Sequence, residues 1–159
     1  MKNCSTIYNV LNGNPNAVAV ICGSNKYSDI KGKVIFYQLC DSVMVCAEIE
    51  GLPKRSNPFF AFHIHEGTRC SGNQSDPFAD AGSHYDPNSR PHPCHAGDMP
   101  PLFSAKGKAI LIFLTDKFRV TEIFGKAVII HSMPDNFTTQ PSGNAGEKIA
   151  CGIVKHICK

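Results

Sequence analysis

Seven short segments alternate or run apolar between glycine, proline, asparagine and aspartate punctuation: AVAVIC (17–22), KVIFYQL (33–39), SVMVCAEIEGL (42–52), FFAFHIHE (59–66), KAILIFL (108–114), KAVIIHS (126–132) and KIACGIV (148–154). A strand turns successive side chains to opposite faces, so this rhythm specifies strands buried on one face or both. No segment holds a 3.6-residue apolar period for three turns, and one helical turn over Arg119 to Gly125 is the most helix the pattern supports. The expected class is therefore all-β, a sandwich or barrel. A chain of 159 residues has the length of one domain, burying roughly two-thirds of its unfolded surface. With no repeat or linker dividing it, a single domain over 1–159 is expected, its core at about 17–154.

Two stretches break the strand rhythm, 67–104 and 132–147. Loops this long are functional or disordered. Six of the seven histidines lie in or beside them: His63, His65, His84, His92, His95 and His131, with His156 apart near the tail. In FHIHE, His63 and His65 project to one side and Phe62 and Ile64 to the other, which makes a two-point metal clamp or, on the bland reading, two solvent-facing imidazoles. The company of His84, His92, His95, Asp98 and His131 favours metal. Neutral imidazole suits copper and zinc, and a carboxylate joining histidines suits zinc. Two adjacent sites sharing ligands fit this set.

Other classes are set aside on composition. The formal net charge is only +3 and the basic residues are scattered, with KGK at 31–33 and 106–108 read as turns, so nucleic acid is not an expected partner. No apolar run approaches the roughly 18 residues of a membrane span, and the N-terminal residues lack the apolar stretch of a secretory signal. A cytoplasmic protein is expected, without membrane contact. GNAGEK lacks the spacing and the hydroxyl of a phosphate loop. Eight cysteines are many for a reducing compartment, which points again to metal or redox chemistry.

The motifs FHIHE, GSHYDP, HAGDMP, IIHSMPD and GNAGEKIACG, in this order from about Ala17 to Val154, resemble the successive motifs of the copper/zinc superoxide dismutases. The resemblance implies a Greek-key β-sandwich or flattened barrel with two long functional loops. It implies copper on His63, His65, His84 and His131, and zinc on His84, His92, His95 and Asp98, with His84 bridging the two. Asp135 matches a carboxylate that accepts hydrogen bonds from His63 and His92. Cys70 and Cys151 match the family's disulfide, and Cys4, Cys22, Cys40, Cys46 and Cys158 are then core or terminal thiols. The implied reaction is dismutation of superoxide anion, with His84 and Lys148 as catalytic residues and a homodimer as the assembly.

Departures from the pattern are informative. The segment between Cys70 and His84 is long, as in the bacterial branch of the family. Lys148 stands where the family places an arginine, keeping the charge but losing the planar fork. The loop from Ser132 to Ser142 holds one acidic residue, Asp135, and no basic one, so the steering of an anion would rest on Lys148 and weaken as salt rises. His92 and His95 are separated only by Pro93 and Cys94, and a site of His84, His95, Asp98 and Cys94 competes with one that uses His92. A non-catalytic copper- or zinc-binding protein, or a copper-delivery protein, is the alternative function on the same fold.

Overall fold

The computed structural model describes residues 7–157. Nine strands follow a short helix, α1 (Ile7–Leu11): β1 (Ala17–Gly23), β2 (Lys31–Gln38), β3 (Val43–Glu50), β4 (Phe59–Phe60), β5 (Phe62–His65), β6 (Leu102–Phe103), β7 (Lys108–Thr115), β8 (Ala127–His131) and β9 (Lys148–His156). Seven of them form one antiparallel sheet in the order β5-β8-β9-β1-β2-β3-β7, and β4 pairs separately with β6. The chain leaves β3 for the far end of the sheet, returns to β7, then crosses back to β8, which is Greek-key connectivity. Among the described residues, no helix is long and apolar enough to cross a membrane.

Alternation does the work in β1 to β3. Ala17, Ala19 and Ile21 of β1, Val34 and Phe36 of β2, and Val43, Val45, Ala47 and Ile49 of β3 all turn into one core. Phe62 and Ile64 of β5 join them from the other end of the sheet, together with Val128 and Ile130 of β8. The sheet therefore curls around a shared interior, where each fully buried phenylalanine or isoleucine contributes about 1.5–3 kcal/mol. Strand β8 is buried on both faces. Its outward Ala127 and Ile129 are covered, with Cys151 of β9, by Phe78 and Ala81 from the long loop. A disulfide between Cys70 and Cys151, 81 residues apart in sequence, ties that loop to β9.

The structure redraws several boundaries. The segment 59–66 is two strands because Ala61 changes partner: its N–H donates to the Met133 carbonyl and its carbonyl accepts from the His131 N–H. The strand expected over 42–52 stops at Glu50, since Gly51 turns with φ +78° and a side chain there would meet the Asp29 carbonyl. Lys31–Lys33 is not a turn but the start of β2, where Lys31 and Lys33 face Glu50 and Glu48 across the ladder. The helical turn narrows to a 3-10 turn at Val120–Glu122. Helix α1 was not legible; its Val10 packs on Tyr37 and Met44 of the outer sheet face. Cys22 and Cys40 are exposed and Cys46 half-buried, so none is a core thiol. Cys4 and Cys158 lie outside the described residues.

Candidate metal centre

The free edge of β5 organises the site. The Ile64 N–H donates to the Gly97 carbonyl at 2.9 Å, the Tyr85 N–H donates to the Ile64 carbonyl at 2.8 Å, and the Glu66 N–H donates to the Ser83 carbonyl at 2.9 Å. These bonds lay the long loop along the strand and set His84 opposite His65 and Asp98 opposite His63. Gly97 is required for so close a passage, because a Cβ there would sit 2.1 Å from the Ile64 oxygen. His131 enters from the end of β8, just past a register shift after Ile130. The face carrying His63 and His65 is thus roofed by loops instead of facing solvent, and both rings are buried.

His63, His65, His92 and His131 each have one nitrogen anchored and the other left for the centre. Tautomers follow from those anchors. His65 Nδ1–H donates to the Gly82 carbonyl at 2.8 Å, and His131 Nδ1–H reaches the Gly146 carbonyl at 3.4 Å. Asp135 accepts from His63 Nε2–H on one oxygen and from His92 Nε2–H on the other, both at 2.9 Å. His84 Nδ1 lies 2.7 Å from Asp98 Oδ1 and 3.4 Å from His95 Nδ1. The ligand atoms gather in two groups: His63, His65, His84 and His131, and His84, His92, His95 with Asp98, the atoms of each lying within 4.8 Å of one another.

These groups fit cations. His63 Nδ1, His84 Nε2 and His92 Nδ1 are buried without a hydrogen-bond partner. His65 Nε2 and His131 Nε2 face each other at 3.2 Å while both Nδ1 atoms already hold the proton, so two lone pairs point at one space. His92 Nδ1 is 3.1 Å from Asp98 Oδ2 without hydrogen-bond geometry, again lone pair against lone pair. A metal ion in each group would remove these conflicts. Three to four imidazoles suit copper, and three imidazoles with a carboxylate suit zinc.

Charge states agree. Burial pushes His65 and His131 well below the ordinary imidazole value, helped by neighbouring rings, and lowers His63 despite the opposing hydrogen bond to Asp135. Burial works against ionising Asp98 and Asp135, but the hydrogen bonds from His84 to Asp98, and from His63, the Phe137 N–H and His92 to Asp135, outweigh it and both carboxyls fall below the usual range. Neutral rings at His63, His65 and His131 and charged carboxylates at Asp98 and Asp135 are what a cation requires. A pH effect on the metal-stripped protein follows. Because the unfolded histidines protonate first, near pH 6.5, stability is full above that value and falls as acid protonates the unfolded chain but not the folded rings. Urea unfolding should show a lower midpoint at pH 5.5 than at pH 7.5.

All seven ligand positions expected from the sequence are brought together, and Cys94, the competing thiol, is exposed. The contacts that orient them were not legible. Gln140 clamps His92 through a reciprocal pair, accepting the His92 N–H at 3.0 Å and donating to its carbonyl at 2.6 Å. Lys117 draws its ammonium over the carbonyls of Pro93 and His95. Gly143, with φ +69°, passes so close to Asp135 that a Cβ would lie 1.9 Å from its Oδ1. Of these, Gly143 alone has a sequence signal, as a turn residue in PSGNAGEK. Lys148 lines the cavity of about 640 Å³ that opens onto His65, His84 and His131. Its ammonium does not stand alone there, as the loop composition suggested: Asp76 Oδ2 is 2.6 Å away.

A Greek-key sandwich carrying two histidine groups that share one ring defines a dinuclear metalloprotein. The profile of the copper/zinc superoxide dismutases matches residues 30–154. Superoxide dismutase [Cu-Zn] 2 of Aquifex aeolicus is 31% identical over 146 residues, covering 82% of each chain. The superoxide dismutase [Cu-Zn] of Legionella pneumophila is 33% identical over 132 residues, 78% of this chain and 77% of its own. Superoxide dismutase [Cu-Zn] 3 of Arabidopsis thaliana is 30% identical over 159 residues, 89% and 91% of the two chains. The chain belongs to the copper/zinc superoxide dismutase family.

Proposed function

We propose that the chain converts two superoxide anions and two protons to dioxygen and hydrogen peroxide, with copper held by His63, His65, His84 and His131 and zinc by His84, His92, His95 and Asp98. The observation that carries this is the position of His84, which is common to both groups, with its Nδ1 on Asp98 and its Nε2 buried without a hydrogen-bond partner. When bound, copper supplies the redox chemistry, taking an electron from one superoxide and passing it to a second, while zinc is redox-inert. The protein's own part is to place and protonate. The cavity admits a small anion to the copper group past Lys148. His84 Nε2 is the atom at which a proton is held for the product, and Asp98 fixes the far side of the ring so that it returns to the same place. The four-nitrogen group together with an open cavity above it favours turnover over copper storage or delivery.

The test is reconstitution with copper and zinc, metal analysis, and superoxide decay followed after pulse radiolysis. One copper and one zinc per chain with catalytic decay is the expected result. A fully copper-loaded protein that leaves superoxide decay at the uncatalysed rate would sink the reading. The zinc set is tested separately: His92→Ala should weaken zinc binding on the order of 10- to 100-fold, and Cys94→Ser should leave it unchanged in a chelator competition. The assembly proposed is a homodimer, supported by the outward Ile110, Ile112 and Leu114 of β7, apolar and exposed, and checked by sedimentation equilibrium. The cytosol is the compartment proposed, checked by fractionation.

A further inference from the structure

Apart from the charge the metals themselves would bring, the side chains lining the cavity over the copper group are predominantly acidic. Four carboxylates line it, Glu66, Asp76, Asp86 and Glu147, against one cationic side chain, Lys148. Glu147 has a partner of its own in Lys26, at 2.8 Å. Lys148 is taken by Asp76 at 2.6 Å, and the lysine side chain is only 16% exposed. Two opposite charges this close act on an approaching anion as a dipole, whose field falls off faster than that of a lone ammonium.

Asp76 is the fixed member of the pair. Its Oδ1 accepts the Phe78 N–H at 3.0 Å, its own N–H donates to Asn73 Oδ1 at 3.0 Å, and its carbonyl accepts from the Asn73 and Ala79 N–H groups. Phe78 is buried against Ala127, Ile129 and Cys151, and the Cys70–Cys151 disulfide closes the same segment onto β9. Lysine, by contrast, is a point charge on a flexible four-carbon stem. The turn therefore presents the carboxylate, and the ammonium comes to it. We propose that Asp76 is a positioning residue for anion capture: it holds the Lys148 ammonium against the cavity wall and cancels its charge, keeping capture slower than Lys148 alone would allow. The inference rests on the copper reading above for the identity of the anion.

Asp76→Asn tests it, since asparagine keeps an acceptor for the Phe78 N–H and loses only the charge. Three measurements are taken on the full chain. Acetic anhydride labelling, read by mass spectrometry and independent of metal, should modify Lys148 more slowly than exposed Lys54 in the wild type, and faster in Asp76→Asn. Azide titration of the copper-loaded proteins should show tighter binding in Asp76→Asn by up to about 10-fold, the low end of what a steering field supplies. Superoxide decay should accelerate by a similar factor, with a fall in rate as salt rises that the wild type shows only weakly; Asp76→Glu should restore wild-type behaviour. In a Lys148→Met background the azide gain from Asp76→Asn should shrink. An equal gain with and without Lys148, or labelling of Lys148 that ignores residue 76, overturns the assignment. An inactive copper-loaded wild type would instead overturn the proposed function, while the labelling still reports on the pair.

Discussion

Asp135→Ala is expected to destabilise the metal-stripped protein by about 3–5 kcal/mol and to weaken zinc binding on the order of 10- to 100-fold. The carboxylate is buried, and it is the acceptor for three donors: His63 Nε2–H, His92 Nε2–H and the Phe137 N–H. Alanine leaves all three without a partner in a space closed to water, where each lost charge-assisted bond costs about 1.5–3 kcal/mol before relaxation. The two rings are then free to rotate, and each belongs to a different metal group, so both sites lose an oriented ligand together. Asp135→Asn should fall between, because its single oxygen serves one ring while its NH₂ meets the N–H of the other. Gly143→Ala should resemble Asp135→Ala, since the new methyl displaces the carboxylate it was meant to spare. Urea unfolding and chelator competition measure both effects. Unchanged zinc affinity in Asp135→Ala would show that the two groups are oriented independently.

The second large effect is expected at the disulfide. Replacing Cys70 by serine opens a closure spanning 81 residues, which the chain-entropy relation values at about 4.5 kcal/mol. A local loss adds to it. The segment from Cys70 to His84 carries Phe78 and Ala81, which cover the outer face of β8, and Gly82, whose carbonyl fixes His65. Cys70→Ser should thus lower the urea midpoint and also weaken copper binding, although no copper ligand is changed. Reduction of the wild type by a strong thiol should reproduce both. A Cys70→Ser protein with wild-type copper affinity would mean that the hydrogen bonds along β5 hold the segment without help.

How far the sequence reaches can be seen at β5. Period-2 alternation shows that His63 and His65 share a face and Phe62 and Ile64 share the other, because side-chain direction in a strand is fixed by the backbone alone. What covers the histidine face is not local. The loop is laid there by the carbonyls and N–H groups of Ile64, Tyr85 and Gly97, which every residue type possesses and no spacing reveals. The same holds for the choice between His92 and Cys94: both can bind zinc, and only the fold buries one ring against Asp98 while leaving the thiol exposed. The Asp76 to Lys148 pair crosses 72 positions, so counting charges within the neighbouring loop could not find it. Strand β6 is too short, at two residues, to leave a periodic signal. The seven longer segments were legible because their apolar alternation is a property of neighbours in sequence.

The anchors of four of the rings, His63, His65, His92 and His131, differ in kind, and this sets how the site withstands mutation. His65 and His131 are oriented by carbonyl oxygens of the main chain, at Gly82 and Gly146. A carbonyl survives any codon change at its own position that the backbone tolerates, and any at the positions around it. His63 and His92 both depend on the side chain of Asp135, so a single codon can disorient a ring in each metal group. The loops can therefore drift widely in composition while the centre persists, and a lineage losing the activity by chance has an unusually small target at which one substitution disables both metals.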